Sequence, residues 1–400
     1  MIFAQHGPAW KPKLDRFYSK RLIDGVIWDP REESVERIQE VRANNDDYSL
    51  GKNLVDLKVY YKQFSGSIPK RLNNLPYFPQ QDIDRRFLRN TDNIAGLVEK
   101  SIEFQLDFNV DMLMAPSLYL YSFNDRIVDK LFDIWEIFSE SVLQREIRME
   151  KYASILFSES ALENKSYIED FLDDFSDISN HFDGIYITID RESNKHRHYF
   201  NPNRLQNMLQ FIYDLKNLGL KVVIGYCGIE SILYLAVGAE AIGTGWFYSL
   251  RNFNKEQKGL EPVESMGRQK KRYTSMKMLF ELAIEDEIFS IPDEHKGEMY
   301  EKILGDCELD DKIKLGNIEN INLNEIYQQY FEVLKQVADG INERDSIEGK
   351  LQLVKELVSA AEFNIERYNE LNPLQKINGR HVGNYKSALN GFQEDNFIIL

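Results

Sequence analysis

Cysteine is nearly missing from this chain. Cys227 and Cys307 are the only two in 400 residues. Two cysteines cannot build a disulfide framework or a four-cysteine zinc site, and such a count points to a reducing compartment. Long apolar runs are also missing. No stretch of about 18 apolar residues occurs, so no membrane-spanning helix is expected. The opening Met1-Ile2-Phe3-Ala4-Gln5-His6-Gly7 lacks a basic segment followed by a long apolar one, so no signal peptide is expected and a cytoplasmic location is. Net positive charge is absent as well: the formal charge is −16. An acidic body repels polyphosphate at long range, which argues against broad, non-specific nucleic-acid binding. There is no internal repeat and no low-complexity tract.

What the chain has is an ordinary globular balance, 43% hydrophobic and 28% charged, with 21 tyrosines and 24 phenylalanines. Short apolar runs alternate with helical periodicity as far as about residue 250, the pattern of a parallel α/β protein. Eight runs read as strands: 2–6, 25–29, 55–61, 111–115 with an extension towards 121, 153–158, 184–190, 221–227 and 239–246. Eight is the number that closes the common barrel. In the sixth run Ile185, Ile187 and Ile189 alternate with Tyr186, Thr188 and Asp190. One face is aliphatic, for the outer helices, and the other polar, for the barrel mouth. Asn201-Pro202 then starts a helix, with Leu205, Met208, Leu209, Ile212 and Leu215 on one face and Gly219 at its end.

The expected architecture is therefore α/β: a (β/α)8 TIM-type barrel over residues 1–262, with a long insertion at 63–110, followed by an all-α C-terminal extension over 263–400. The insertion reads as an ordered, aromatic-rich flap. The extension reads as four helical stretches, the first over 273–287, that could serve a protein partner or a homodimer.

Catalytic groups of such barrels sit at the C-terminal ends of the strands, and that rule selects the candidates. Asp29, Glu159 and Asp190 are the carboxylates placed for acid–base or nucleophilic work. Asp29 also fits a helix cap or a pair with Arg31. Glu159 and Asp190 belong to neighbouring strands and could share a proton, unless a cation such as Arg191 or Lys195 neutralises Asp190. Gln5, His6, Arg31, Lys58, Tyr60, Tyr226, Gly228, Gly243, Thr244 and Arg251 line the same mouth as candidate ligand-binding groups, with Lys62, Ser158, Cys227 and Trp246 beside them. Cys227 suits a small buried residue better than a nucleophile. His196 and His198 form a His-x-His pair with no third ligand, so no metal is expected, and no cofactor is called for. The glycines at 225–228 and 243–245 offer a weak signal for phosphate binding. Residues 63–90 carry five cations against two carboxylates, and residues 251–272 seven against three. A basic rim on an acidic body suits a phosphorylated ligand.

The stretches Asp183-Gly184-Ile185-Tyr186-Ile187, Val223-Ile224-Gly225-Tyr226-Cys227-Gly228-Ile229-Glu230 and Gly238-Ala239-Glu240-Ala241-Ile242-Gly243 resemble the last three strands of tRNA-guanine transglycosylase-like barrels. The resemblance covers residues 182–253. It implies a nucleobase, nucleotide or nucleic-acid ligand, base modification, and a setting in antiviral defence. It also implies an aspartate nucleophile after strand eight and a zinc cluster, but Gly243 stands near the first position and the cluster has no counterpart. Asp29 or Asp190 would then substitute, or the barrel binds without catalysis. A different barrel hydrolase, a glycosidase or phosphodiesterase, is the remaining alternative.

Overall fold

The computed structural model describes residues 1–6, 16–17, 19–29, 52–64, 70–108, 110–192, 200–255, 270–316, 318–372 and 375–399. Nine parallel strands share one sheet: β1 (Ile2–His6), β2 (Gly25–Trp28), β3 (Lys52–Val55), β4 (Met112–Met114), β5 (Tyr119–Leu120), β6 (Glu150–Ser158), β7 (Gly184–Asp190), β8 (Lys221–Ile224) and β9 (Ala241–Thr244). The order is β3-β2-β1-β9-β8-β7-β6-β4. β4 pairs with the start of β6 and β5 with its end. The two pieces thus form one interrupted barrel strand. β3 and β4, the two ends of the path, are joined by the Asp111 amide donating to the Asn53 carbonyl at 2.9 Å and the Asn53 amide donating to the Asp111 carboxylate at 2.9 Å. The result is a nearly closed eight-stranded parallel barrel, the TIM-type fold expected from the alternating pattern.

The barrel interior shows why the sequence alternates. Phe3, Ile27, Leu54, Met112, Met114, Tyr152, Tyr186, Val223 and Ala241 form one buried cluster. Every strand of the ring contributes to it. Side chains two apart along a strand face the same way, so each strand gives alternate residues to the interior. Tyr186 faces this cluster, which assigns Ile185, Ile187 and Ile189 to the opposite face of β7.

Two expectations need correcting. The third strand is Lys52–Val55, not 55–61, and Val59–Gln63 is a 3₁₀ helix. β3 pairs with β2 only as far as Trp28↔Val55. The Asp56 amide makes the last bond, to the Trp28 carbonyl at 2.9 Å, and with no further ladder partner the chain turns. The helix expected over 273–287 is instead an antiparallel hairpin, β10 (Arg272–Ser275) with β11 (Phe280–Ala283), and a π-helical turn at Ile284–Ile288. The Gln329 side chain satisfies both backbone groups of Thr274, at 3.0 and 2.7 Å. A distant residue thereby supports the strand.

The chain divides into two compact units. One is Met1–Ser193 with Phe211–Cys227 and Ala239–Val263; the other is Asn194–Gln210 with Gly228–Gly238 and Glu264–Leu400. The first contains the barrel. The second carries the hairpin and the C-terminal helices, including Leu323–Asn342, Ile347–Leu371 and Arg380–Asp395. Asn322 and Glu325 close a capping box on the first of these three. Pro202–Asn217 is a helix opened by Asn201, whose side chain accepts from the Asn203 amide at 3.0 Å. Its five expected apolar positions are all buried, and Gly219 ends it at φ +86°. Among the described residues no helix is long and apolar enough to cross a membrane.

The insertion after β3 is ordered where it is described. Thr91–Asp107 is the expected helix. Tyr77, Phe78 and Ile83 are buried, and the Ile83 amide donates to the Lys62 carbonyl at 2.9 Å.

Candidate functional site

The central cluster lies within the barrel unit, at the C-terminal ends of its strands. Asp29 follows β2, and Asp56-Leu57-Lys58 follows β3. The Lys58 ammonium lies 3.2 Å from Asp29 Oδ1 and 3.5 Å from Asp56 Oδ2. It donates to Tyr226 Oη at 2.7 Å, and the Tyr226 hydroxyl donates to Asp56 Oδ2 at 2.8 Å. The Lys58 side chain is 0% exposed and those of Asp29 and Asp56 are 3% and 4% exposed. One ammonium thus lies against two carboxylates in a buried space. Such a cluster is held together by mutual attraction that must offset a large desolvation cost.

Aromatic rings wall this cluster. Tyr60 stacks on Tyr61 with centroids 5.0 Å apart, and Phe253 meets the rings of Tyr226 and Tyr60 at 5.3 and 5.9 Å. Burial raises the pKa values of Tyr60, Tyr186 and Tyr226 well above the ordinary phenol value, and the negative charge of Asp56 adds to this in all three. These phenols therefore stay neutral and remain hydrogen-bond donors.

Two features of the backbone are tied to this geometry. Tyr226 has φ +56°, a left-handed conformation that costs a non-glycine residue about 1–3 kcal/mol and tends to occur where function holds it. Gly225 leaves no room for a side chain, because a Cβ there would run into the Tyr186 hydroxyl. A Cβ on Gly243 would meet Ile27, and would come within 2.8 Å of Gln5 Oε1 and 3.3 Å of the Gly225 Cα. The two glycines are thus gaps into which Gln5 and Tyr186 press. The glycines read from sequence as phosphate turns have other roles. In the second unit the Gly228 amide is taken by the Glu230 carboxylate at 3.0 Å.

Gln5 is wholly buried, and neither polar atom of its side-chain amide has a hydrogen-bond partner. The same is true of the Tyr60 and Tyr186 hydroxyls. Gln5 and Thr188 lie close enough to the Tyr186 hydroxyl to oppose its rise in pKa, yet no well-aligned bond forms. Buried polar groups are almost always paired, so several orphans in one place mark a position that another polar group is suited to fill.

The other two predicted carboxylates belong to separate centres. Asp190, at the end of β7, accepts from the Tyr119 hydroxyl at 2.8 Å and from the Lys255 amide at 2.9 Å, and the Lys255 ammonium lies 3.7 Å away. Burial pushes its pKa up, against the pull of the hydrogen bonds and charge of Lys255 and Tyr119. Lys255 also sits over the rings of Tyr119 and Tyr121, at 4.2 and 4.7 Å. Glu159 pairs with Arg191 Nε at 3.1 Å and accepts from the Glu192 amide at 3.2 Å. Asp29, Glu159 and Asp190 thus each meet a different cation. Lys255, not Arg191, is the cation on Asp190.

Asp29, Lys58, Tyr60 and Tyr226 therefore come together, with Gln5 and Gly243 nearby. Thr244 and Arg251 brace the barrel: Thr244 Oγ1 donates to the Cys227 carbonyl at 2.6 Å, and Arg251 Nε to the Gly245 carbonyl at 2.6 Å. Cys227 is buried, and its thiol donates to the Ile224 carbonyl. Lys62 is buried, its ammonium 5.5 Å from the Phe78 ring centre. The side chain of His6, and Arg31, Lys195, His196 and His198 entirely, lie outside the described residues. Among those described, no three His, Cys, Asp or Glu side chains form a group suited to a metal ion. Three participants escaped the sequence reading: Asp56, Tyr119 and Lys255. Asp56 was legible in principle, since Asp56-x-Lys58 at a strand end places both side chains on one side.

No protein-family model matches the chain. The endoribonuclease YbeY of two strains of Borreliella burgdorferi is 34% identical to it over 95 residues. The match takes in 23% of this chain and spans about 60% of the length of those relatives. Among solved structures, the carboxyl transferase domain of Rhizobium etli pyruvate carboxylase, determined with pyruvate, aligns over 96% of this chain and 74% of its own at 9% identity, with a TM-score of 0.33. A likeness that slight carries no argument. The fold is compatible with an enzyme or with a ligand-binding barrel.

Proposed function

We propose that the barrel is an enzyme acting on a nucleobase- or nucleotide-like ligand, with Asp29, Lys58, Asp56 and Tyr226 as its acid–base centre. The observation that carries this reading is the coincidence of that dry charged cluster with the orphaned polar atoms of Gln5, Tyr60 and Tyr186. A planar ligand edge with several donors and acceptors would satisfy them. Lys58 then polarises a ligand oxygen or nitrogen, a proton leaving the ligand is taken up at Tyr226 Oη as the Tyr226 hydroxyl gives its own to Asp56, so that the phenol stays neutral, and Asp29 holds the ammonium in place. The transglycosylase resemblance over residues 182–253 supports the nucleobase class and is the sole pointer to base modification or defence. The partial similarity to an endoribonuclease supports RNA or RNA-derived ligands, and with them a phosphodiester as the bond broken.

A second reading is a barrel that binds such a ligand without turning it over. The separate pairing of Glu159 with Arg191 and of Asp190 with Lys255 favours it. One experiment separates the two. The protein is screened by thermal shift against nucleobases, deazaguanines, nucleotides and short oligonucleotides, and each binding mixture is then searched for products by chromatography. A ligand that binds the folded state raises the melting temperature. Turnover that Asp29→Asn and Tyr226→Phe abolish supports the enzyme; binding without turnover supports the second reading; no shift with any ligand overturns both.

A further inference from the structure

Apart from the inner cluster the barrel unit has a cavity of about 400 Å³, a size suited to small ligands. Phe64, Ile83, Leu88, Tyr119 and Tyr121 give it apolar and aromatic walls, and Arg85, Arg89, Arg126 and Lys130 surround it. Two carboxylates, Asp84 and Asp125, also line it. Both face backbone: Asp84 accepts from the amides of Arg86 and Phe87, and Asp125 from that of Ile127. Lys130 pairs with Asp133.

The three arginines are different. Among the described residues, none of Arg85, Arg89 and Arg126 forms an ion pair. Arg145 and Arg367 do find carboxylates, Glu99 and Glu103 for the first and Glu298 and Glu370 for the second, whereas Arg85, Arg89 and Arg126 converge on one cavity. Around this one concavity three guanidinium groups outnumber two carboxylates, which leaves a local excess of positive charge in an acidic molecule. Planar guanidinium groups suit phosphate oxygens in particular. Beside them Tyr121 is 59% exposed, its ring edge-on to Tyr119 at 4.7 Å. A half-exposed aromatic ring that already carries the Lys255 ammonium 4.7 Å from its centre, next to three arginines, suits a ligand that is both aromatic and anionic.

We infer that this cavity is a phosphate-recognition site for a nucleoside monophosphate, alone or as one unit of an oligonucleotide. The phosphate is held by Arg85, Arg89 and Arg126, and the base or sugar lies against Tyr121. The inference deepens the nucleotide reading of the inner cluster, but its residues are separate from that cluster.

The test is isothermal titration of AMP, GMP, the matching nucleosides and inorganic phosphate into the full chain and into Arg85→Ala/Arg126→Ala, Tyr121→Ala and Asp29→Asn. The expected result is that the monophosphates bind about tenfold or more tightly than their nucleosides, that salt weakens this preference, and that the double arginine variant removes it. Tyr121→Ala weakens the monophosphates but leaves inorganic phosphate unchanged. Monophosphates binding no better than nucleosides, or binding unchanged in the arginine variant, would overturn the inference. Asp29→Asn separates the two sites. Loss of nucleoside binding with the phosphate preference intact supports both. An Asp29→Asn protein identical to the wild type in every titration sinks the inner-cluster reading and leaves this one standing.

Discussion

Asp29 and Asp190 both stand where a barrel strand ends, and both meet a lysine, yet water reaches only one of the two lysines. Lys58 is 0% exposed and has Asp29, Asp56 and Tyr226 for company; Lys255 is 24% exposed and rests on aromatic rings beside Asp190. The same pair of residue types therefore does two jobs. In the buried centre one ammonium lies against two carboxylates and a phenol. At the wetter one solvent shares the load, and the lysine adjusts the carboxylate more than it holds the fold together.

Removing the buried cation is the sharpest way to break this contrast. Lys58→Met removes the ammonium that lies against two buried carboxylates and should cost about 3–5 kcal/mol in urea unfolding. A loss below about 1 kcal/mol would mean that water already reaches the cluster. Filling the gap beneath it comes next. Gly225→Ala drives a methyl group against the Tyr186 hydroxyl and should cost about 1–3 kcal/mol by overpacking. Tyr186→Phe in the same chain should recover part of that loss; no recovery would place the clash elsewhere.

At the other centre Lys255→Met should change stability by no more than about 1 kcal/mol, while moving the Asp190 carboxyl further up, since the Lys255 ammonium opposes its burial alongside the Lys255 backbone amide and the Tyr119 hydroxyl, which the variant keeps. A carboxyl resonance titrated by NMR reads this directly, and an unchanged midpoint would refute it. The sign of the accompanying pH effect follows from linkage. The folded state holds the Asp190 proton above the ordinary value of 3.8, so the unfolded chain releases it first. The stability this group contributes is present below that value and falls as pH rises through the folded one. Asp190→Asn should flatten that part of the pH–stability curve, and a profile with an unaltered slope would count against the shift.

Much of the barrel was legible because its rule is local. Alternation in β7, the Asn201-Pro202 start and the Gly219 stop each depend on neighbours in sequence, and each stands where the pattern put it. Strand three ends at Val55, six residues before the expected end, because that end is set by β2, not by its own composition. The hairpin at 272–283 was read as helix because its support comes from Gln329, some 55 positions away.

The candidate site divides along the same line. Asp29, Lys58, Tyr60 and Tyr226 could be named from the rule that barrel strands present chemistry at their C-terminal ends. Which carboxylate met which cation could not, because ion pairing at the mouth is decided by residues far apart in sequence. Lys58 reaches Tyr226 across 168 positions, and Asp190 takes its lysine from position 255. The sequence by itself determined the alternating architecture and the end of the barrel where chemistry belongs, since periodicity and strand polarity are properties of short segments. Only the tertiary structure decided that one lysine would be sealed away between two aspartates and the other left at the water's edge, since burial belongs to the whole barrel and to no segment of it.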